Sequence, residues 1–390
     1  MLNMDKTTWP VFADDEITAV NNVLRSGKVN SWTGEQVKLF EKEFSEYISV
    51  KHAIAMANGS LALELALHVL GIGNDDEVIV TPRSFIASAS CVVLKGAIPV
   101  FADVDLESQN ITVDSIREVI TQKTRAIIVV HLAGWPCDMD AIMALAKENN
   151  LYVIEDCAQA LGARYKDKAV GSFGDVSIFS FCQDKILTTG GEGGMLCTSS
   201  DTFWESAWSY KDHGKNIEEV RRANATPEFS WLHDSFGTNM RMTEMQAAIG
   251  RLQLEKLAGW LQQRRSNAQQ LTDCFKNIKG LRITTPGNDI QHAYYKYYAF
   301  VDTELLKPEW DRMRVLNAII AVGIPCYTGS CPEIYLEKAF AEDLEPMHRL
   351  PVAKELGETS LMFLVHPTLR EDDMNVVCEV VKKIMREAVL

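Results

Sequence analysis

The stretch HAIAMANGSLALELALHVL, residues 52–70, joins a short apolar run to a helix-length segment through Asn-Gly-Ser. The alternation continues to about Gln159, with further apolar runs at 77–82, 97–104 and 124–134. Strands buried on both faces read as continuous apolar runs, and parallel pairing requires helical crossovers between them. The pattern predicts an α/β fold with a mostly parallel sheet, and ligand binding at the carboxyl ends of its strands.

The second half of the chain changes character after the strand-like runs at 176–181 and 193–199. Helical periodicity marks residues 242–275, a segment long enough to bridge two domains. The residues that follow read as a smaller α+β unit. We therefore predict a large α/β domain over residues 1–254 and a small C-terminal α+β domain over residues 255–390.

Composition limits the possible partners. The formal charge is −14, so a nucleic acid or an anionic membrane would be repelled by the average field. The nine cysteines are scattered and form no CxxC pair, which argues against disulfides and a metal site and for a reducing compartment. The N-terminal stretch lacks a signal-peptide pattern, and no run reaches the roughly 18 apolar residues of a membrane span. We expect a cytoplasmic protein that binds no nucleic acid, membrane or metal.

Polar residues suited to catalysis or cofactor binding follow two of the predicted strands. Asp156 and Gln159 stand in IEDCAQ, where a buried carboxylate requires a cationic partner such as a protonated pyridine nitrogen. Gln159 would then donate to an oxygen on the same ring. Lys185 lies in an apolar, glycine-rich setting, where burial lowers the pKa of a lysine and makes it a nucleophile. The alternatives are a capping aspartate and an exposed loop lysine.

A phosphate site is indicated where the strand HAIAMA becomes a helix. Gly59 and Ser60 leave unpaired NH groups at the positive end of the helix dipole. Ser180, five residues before Lys185, offers a second hydroxyl. Ser60 as a plain N-cap and Ser180 as a core-facing serine are the alternatives. Phe85 follows the next strand and is suited to cover an aromatic ligand, although a core aromatic fits equally well.

Four further polar residues are weaker candidates for substrate or cofactor contacts. Asn239 and Arg241 precede the long helix, where loop capping and a solvated surface charge are the alternatives. His292 and Tyr294, in HAYYKYY, are candidates for a sugar or nucleotide pocket. His131, by contrast, is expected to be a satisfied core histidine.

In this order along the chain, the motifs resemble those of the fold-type-I, pyridoxal phosphate (PLP)-dependent sugar aminotransferase family named for its DegT and StrS members. The likeness covers essentially the whole chain. Its most specific stretches are SGKVNSWTGEQVKLFEKEF, NGSLALELAL, VVHLAGWPCDMD, VIEDCAQALGARYKDKAVGSFGDVSIFSF, GGEGGML and RLPVAKEL. The resemblance implies the three-layer fold of PLP-dependent transferases, with PLP as the cofactor.

The resemblance also implies roles for individual residues. Lys185 would be the Schiff-base lysine, Asp156 the partner of the pyridine nitrogen, and Gln159 a contact to the ring oxygen. Phe85 would stack on the ring, and the phosphate would be held by a set of small polar residues that comprises Gly59, Ser60 and Ser180. Asn239 would reach the phosphate of the neighbouring subunit, because members of the family are usually homodimers with shared sites.

Two positions depart from the family pattern. Cys182 stands where the family commonly has His, and the later His of the sugar-binding loop is replaced in YTGSCPEIY by Ser330 or a neighbour. These changes leave the cofactor chemistry intact and put the identity of the sugar in question. Cys182 itself is expected to be a packed small hydrophobe.

The activity implied is transfer of an amino group from L-glutamate to a nucleotide-linked keto-6-deoxy sugar used in surface polysaccharides. The region GSCPEIYLEKAF, residues 329–340, resembles that of C4 aminotransferases from O-antigen pathways. It favours dTDP-4-keto-6-deoxyglucose, giving dTDP-4-amino-4,6-dideoxyglucose. A UDP- or GDP-linked sugar and amination at C3 remain open. A non-catalytic PLP-binding regulator is the alternative from another class, and would be expected to lose Lys185 or to carry an added DNA-binding domain.

Overall fold

A computed structural model describes residues 8–223, 229–340 and 348–390. Its central sheet has seven strands in the order β1-β9-β8-β5-β4-β2-β3. Only β9 runs antiparallel to its neighbours, and the other pairs are parallel. The first nine strands along the chain are β1 (His52–Met56), β2 (Glu77–Val80), β3 (Ile98–Phe101), β4 (Thr124–Val130), β5 (Tyr152–Asp156), β6 (Arg164–Tyr165), β7 (Lys168–Ala169), β8 (Val176–Ser180) and β9 (Gly194–Thr198). Of these, β6 and β7 lie outside the central sheet.

Helices cover both faces of this sheet, which confirms the predicted three-layer α/β architecture. In β4, Ile128 and Val130 pack into one core with α3 and α4, whereas Ile127 and Val129 pack into another with α6. This two-sided burial explains why the strands read as unbroken apolar runs. The helices of this half are α1 (Asp14–Ser26), α2 (Gln36–Ile48), α3 (Gly59–Val69), α4 (Ala87–Leu94), α5 (Val113–Arg117), α6 (Met139–Glu148), α7 (Asp201–Lys211) and α8 (Ile217–Ala223).

The C-terminal part forms a four-stranded antiparallel sheet in the order β10-β12-β14-β13. Its core is shared with the C-terminal half of α9 and with α10 and α12. Its elements are α9 (Glu244–Phe275), β10 (Leu281–Ile283), β11 (Ile290–Gln291), β12 (Tyr297–Val301), α10 (Arg312–Ala321), β13 (Cys326–Tyr327), α11 (Pro351–Thr359), β14 (Ser360–Phe363) and α12 (Glu371–Ala388).

The predicted domain boundary at residue 254 falls inside α9, which is continuous from Glu244 to Phe275. A capping box between Thr243 and Gln246 begins the helix. β11 pairs with β6 in a separate three-stranded sheet, so one strand from beyond residue 254 pairs with a strand from before it. The two main sheets lie on either side of residue 254 in the chain, and the division into domains there stays a prediction. In the described residues no helix combines the length and apolarity needed to cross a bilayer.

Candidate active site

A cavity of about 1070 Å³ lies at the carboxyl ends of β5 and β8, beside the first turn of α3. Parallel strands bring their last residues to one edge of the sheet, which is where the sequence predicted a ligand. Eight of the predicted site residues line it: Gly59, Ser60, Phe85, Asp156, Gln159, Ser180, Lys185 and Ser330. The other four, Asn239, Arg241, His292 and Tyr294, do not.

Asp156 ends β5 as a buried carboxylate, only 4% exposed. Its Oδ2 accepts a hydrogen bond from Ser88 Oγ at 2.8 Å, and its Oδ1 accepts one from the Ala158 NH at 3.1 Å. Among the described residues it forms no ion pair. Burial raises the pKa of this carboxyl despite both hydrogen bonds. The side chain therefore caps the local turn, as the alternative interpretation predicted. Its charge is also left without a cationic partner among the described residues, a role that a protonated pyridine nitrogen would fill.

Gln159 is oriented by the backbone of the neighbouring loop. Its Oε1 accepts a hydrogen bond from the Ala133 NH at 2.8 Å. The amide NH₂ group has no hydrogen-bond partner within the described residues, and the side chain lines the cavity. The geometry leaves this NH₂ available to donate to an oxygen of a bound ring.

The first turn of α3 supplies backbone donors. Asn58, and not Ser60, is the N-cap, since its Oδ1 accepts a hydrogen bond from the Leu61 NH at 2.9 Å. The NH groups of Gly59 and Ser60 precede the first intrahelical bonds and lie at the positive end of the dipole. A Cβ at Gly59 would come within 2.8 Å of the Cβ of Ser180. The N-cap alternative for Ser60 is therefore wrong, and these three residues form one cradle suited to a phosphate.

Phe85 is 65% exposed, although it is a large apolar side chain. It lines the cavity from the loop between β2 and α4. The alternative of a core aromatic is wrong, because no core encloses the ring. A flat ligand in the cavity would cover its exposed face.

Lys185 lies in the loop after β8, half-buried, with its side chain at the cavity. Its NH donates to the Cys182 carbonyl at 3.1 Å, and its carbonyl accepts from Trp9 Nε1 at 2.8 Å. Its Nζ lies 5.0 Å from the centre of the Tyr295 ring. The backbone is thus fixed on both sides while the amine faces the cavity, which excludes the exposed-loop alternative.

Sequence reasoning missed the group that surrounds this amine. Tyr295 donates its hydroxyl hydrogen to Asp184, and the Lys296 Nζ lies 3.7 Å from the same carboxylate. All three side chains line the cavity, as does Ser88, the hydrogen-bond donor to Asp156. HAYYKYY pointed to the right segment, but it gave no signal for which of its side chains face the cavity.

His292 and Tyr294 were the wrong choices in that segment. The two rings are stacked with their centres 3.9 Å apart, and His292 Nδ1 accepts a hydrogen bond from the Tyr294 NH at 2.7 Å. Burial, helped by the charge of Arg265, lowers the pKa of His292 to about 3. They line a separate small void and not the main cavity, so the prediction that they face the main cavity is wrong.

Asn239 and Arg241 lie outside the cavity of their own chain. Asn239 is exposed, and its Oδ1 accepts from the Arg241 NH at 3.3 Å. The Arg241 Nη1 is paired with Asp212 Oδ1 at 2.7 Å, with 16% of the arginine side chain exposed. Arg241 is therefore neither a solvated surface charge nor a residue that lines this cavity. The contact of Asn239 with a partner subunit stays a prediction.

The two positions that depart from the family pattern both face the cavity. The Ser330 NH donates to the Tyr298 hydroxyl at 2.9 Å, which fixes the loop after β13. Cys182 is half-buried, with its Sγ 4.0 Å from Glu192 Oε1. Cys182 therefore lines the cavity and is not a packed core residue, contrary to the expectation.

His131 is a satisfied core histidine, as expected. It is fully buried, its Nδ1 accepts from the Cys137 NH at 3.0 Å, and its Nε2 lies 3.2 Å from Glu155. Glu155 also accepts three backbone NH bonds from the loop at residues 171–174. His131, Glu155 and Cys157 lie close enough together to be considered as metal ligands. The hydrogen bonds just described already satisfy both carboxylate oxygens of Glu155 without a metal ion.

Comparison with known proteins agrees with this geometry. The chain matches the family described as the DegT/DnrJ/EryC1/StrS aminotransferase family over residues 10–382. It is 36% identical over 372 residues to GDP-perosamine synthase of Escherichia coli O157:H7, covering 95% of each chain. It is 34% identical over 375 residues to UDP-N-acetyl-3-dehydro-alpha-D-glucosamine 3-aminotransferase of Acidithiobacillus ferrooxidans, covering 95% and 94%. The crystal structure of an aminotransferase from Psychrobacter cryohalolentis superimposes with a TM-score of 0.95 at 53% identity, covering 97% and 98%.

The residues at the cavity fit pyridoxal phosphate. The buried Asp156 carboxylate lacks a cationic partner in the described residues, and the Gly59–Ser180 contact leaves a cradle that a side chain would fill. The Lys185 side chain lines the same cavity as these two groups. The chain therefore belongs to the DegT/DnrJ/EryC1/StrS aminotransferase family, and pyridoxal phosphate is its cofactor.

Proposed function

We propose that the protein moves an amino group from L-glutamate to a keto carbon of a nucleotide-linked 6-deoxy sugar. The observation that carries this proposal is the meeting of Lys185, Asp156 and the α3 cradle at one cavity of about 1070 Å³. Pockets of roughly 300 to 1,000 Å³ hold drug-sized ligands. The space is thus sufficient for a cofactor together with part of a sugar nucleotide.

In this proposal each cavity residue has a separate task. Bound pyridoxal phosphate supplies an electron sink for the carbon that gains or loses the amino group. Asp156 holds a proton on the ring nitrogen, and the NH groups of Gly59 and Ser60 bind the phosphate together with the Ser180 hydroxyl. Phe85 covers one face of the ring and excludes water.

Proton transfer is assigned to Lys185. Its Nζ removes the proton from the amino-bearing carbon of glutamate in the first half of the reaction, and returns a proton to the former keto carbon of the sugar in the second. Trp9 and the Cys182 carbonyl hold the Lys185 backbone, so the amine moves only through its own side-chain torsions. A regulator that binds the cofactor without turnover would have no use for such a proton carrier.

The preferred substrate is dTDP-4-keto-6-deoxyglucose, giving dTDP-4-amino-4,6-dideoxyglucose for a surface polysaccharide. Support comes from the loop at residues 329–340, whose Ser330 and Cys331 line the cavity. The names of the relatives refer to a GDP sugar and to a UDP sugar that is aminated at C3. A UDP- or GDP-linked substrate and amination at C3 therefore belong in the same test.

The test uses the holoenzyme and both half-reactions. Glutamate alone should abolish the visible absorption band of the cofactor, and a dTDP-, UDP- or GDP-linked keto sugar should restore it. Mass spectrometry of the sugar then identifies which base and which carbon are accepted. A spectrum that glutamate leaves unchanged would overturn the choice of donor, and a panel in which no keto sugar is aminated would overturn the choice of acceptor.

A further inference from the structure

Positive charge is in excess at the end of the cavity where Tyr295 lies. The Nζ atoms of Lys185 and Lys296 lie 5.0 and 4.7 Å from the centre of the Tyr295 ring. Arg264 adds a third cation, since its Nη1 donates to the Tyr295 carbonyl at 3.3 Å. Asp184 is the one carboxylate within ion-pair distance of any of these three groups in the described parts of the chain.

The existing interactions do not neutralise this cluster. Asp184 is 54% exposed and already accepts the Tyr295 hydroxyl hydrogen. Arg264 is 1% exposed, and its Nε and Nη2 have no hydrogen-bond partner among the described residues. The other carboxylates that line the cavity lie apart from Tyr295, Asp156 at the end of β5 and Glu192 beside Cys182. Buried charges without partners are costly, and such groups cluster at functional sites.

The electrostatics of Lys296 agree with this excess. Burial lowers the pKa of its ammonium group, Asp184 opposes that effect, and the charges of Arg264 and Lys185 lower it further. Burial also lowers the pKa of Arg264, to about 9, so the guanidinium remains charged at neutral pH. An anion beside Lys296 would relieve the repulsion between Lys296 and Arg264, which persists when the Lys185 amine is bound to the cofactor.

We propose that Lys296, with Arg264 behind it, forms a subsite for an oxyanion of the substrate. Lys296 is the member of the pair that reaches the ligand, because it lines the cavity with 16% of its side chain exposed, whereas Arg264 does not line it. This inference rests on the proposed function, which offers two oxyanions of this chemistry: a carboxylate of the amino donor and the diphosphate of the sugar nucleotide.

The position of the subsite suits an anion carried by a reacting molecule. Lys296 and Lys185 both lie against the ring of Tyr295, so an oxyanion bound to Lys296 would lie at the same end of the cavity as the Lys185 amine. In both candidate substrates the oxyanion and the reacting carbon belong to one small molecule. Lys296 would thereby orient that carbon toward the Lys185 amine, as a binding residue that takes no proton itself.

Two substitutions at this position separate charge from packing. Lys296→Met removes the charge and keeps most of the side-chain length, and Lys296→Arg keeps the charge. Lys276→Met, on the exposed side chain paired with Asp273, is the surface control. Calorimetry on the holoenzymes measures binding of 2-oxoglutarate and, separately, of dTDP, UDP and GDP.

We expect Lys296→Met to weaken one probe class by about tenfold to a hundredfold, the range for loss of a charged hydrogen bond. Lys296→Arg and Lys276→Met should bind within about threefold of wild type, since each leaves the charge at the cavity in place. Weaker 2-oxoglutarate binding assigns the subsite to the donor carboxylate, and weaker nucleotide binding assigns it to the diphosphate.

Two results overturn the inference while the proposed function stands: wild-type affinity of Lys296→Met for both probe classes, or an equal loss in Lys296→Arg, which would indicate packing and not charge. If the wild-type protein binds neither probe class, the proposed function itself fails and the subsite fails with it.

Discussion

The Cβ of Ser180 lies 2.8 Å from the position that a Cβ would occupy at Gly59. This contact brings the end of β8 against the first turn of α3 and keeps the helix NH groups open to the cavity. Glycine is required here for space, because any side chain would push Ser180 or the helix away.

Gly59→Ala should therefore weaken binding of pyridoxal phosphate by about tenfold or more, since hydrogen bonds to a charged group contribute on the order of 1.5 to 3 kcal/mol. Equilibrium titration of the apoprotein with cofactor measures the effect. Gly259→Ala is the matched control, because Gly259 lies in α9 and, outside its own helix backbone, no atom of the described residues lies within 4 Å of its Cβ position. The control should bind normally and gain up to about 1 kcal/mol of stability. Equal cofactor affinity of Gly59→Ala and wild type would contradict the cradle.

Asp156→Asn should slow transamination by orders of magnitude, because a neutral amide cannot hold the proton on the ring nitrogen. The fold should persist, since the asparagine carbonyl oxygen can still accept one of the bonds from Ser88 and Ala158. Single-turnover kinetics with glutamate, followed at the cofactor band, give the rate. A variant that reacts at the wild-type rate would assign the ring nitrogen to another residue.

The same carboxylate should make the stability of the apoprotein depend on pH. Burial raises the pKa of Asp156, so the folded state binds the proton more tightly than the unfolded state does. Stability should then fall as the pH rises from the ordinary carboxyl pKa of 3.8 through the raised folded value. Asp156→Asn removes this loss, and the variant should gain relative to wild type across that interval. Urea unfolding of both apoproteins at several pH values tests it, and a difference that is flat with pH would contradict it.

The sequence was most informative where chemistry follows regular structure. Asp156 and Ser180 are the last residues of β5 and β8, so their convergence follows from the parallel sheet. Tyr295 and Lys296 reach the same cavity from the segment before β12, through tertiary packing that no local pattern encodes. Tyr294 adopts a left-handed backbone conformation with φ 49°, which breaks the alternation of side chains and explains the wrong choice there.

Asn239 provides a test of the predicted homodimer with shared sites. Its exposed side chain lies outside the cavity of its own chain. Lys185→Ala and Asn239→Trp should each give an inactive homodimer, the second because the bulky ring would block the partner's phosphate. A mixed dimer would hold one site with both defects and one with neither, so activity should return towards half of wild type. Verified mixed dimers that stay inactive would confine Asn239 to a capping role.

In the proposed reaction Lys185 carries protons while an amino group passes from glutamate to a nucleotide-linked keto sugar. The most direct measurement follows the nitrogen itself. Wild-type holoenzyme and Lys185→Ala are each supplied with glutamate that carries the heavy nitrogen isotope and with the panel of dTDP-, UDP- and GDP-linked keto sugars, and the sugars are weighed by mass spectrometry. The wild-type protein should place heavy nitrogen in one amino sugar, and Lys185→Ala should give no labelled amino sugar. Labelled product at equal rates from both proteins, or from neither, would contradict it.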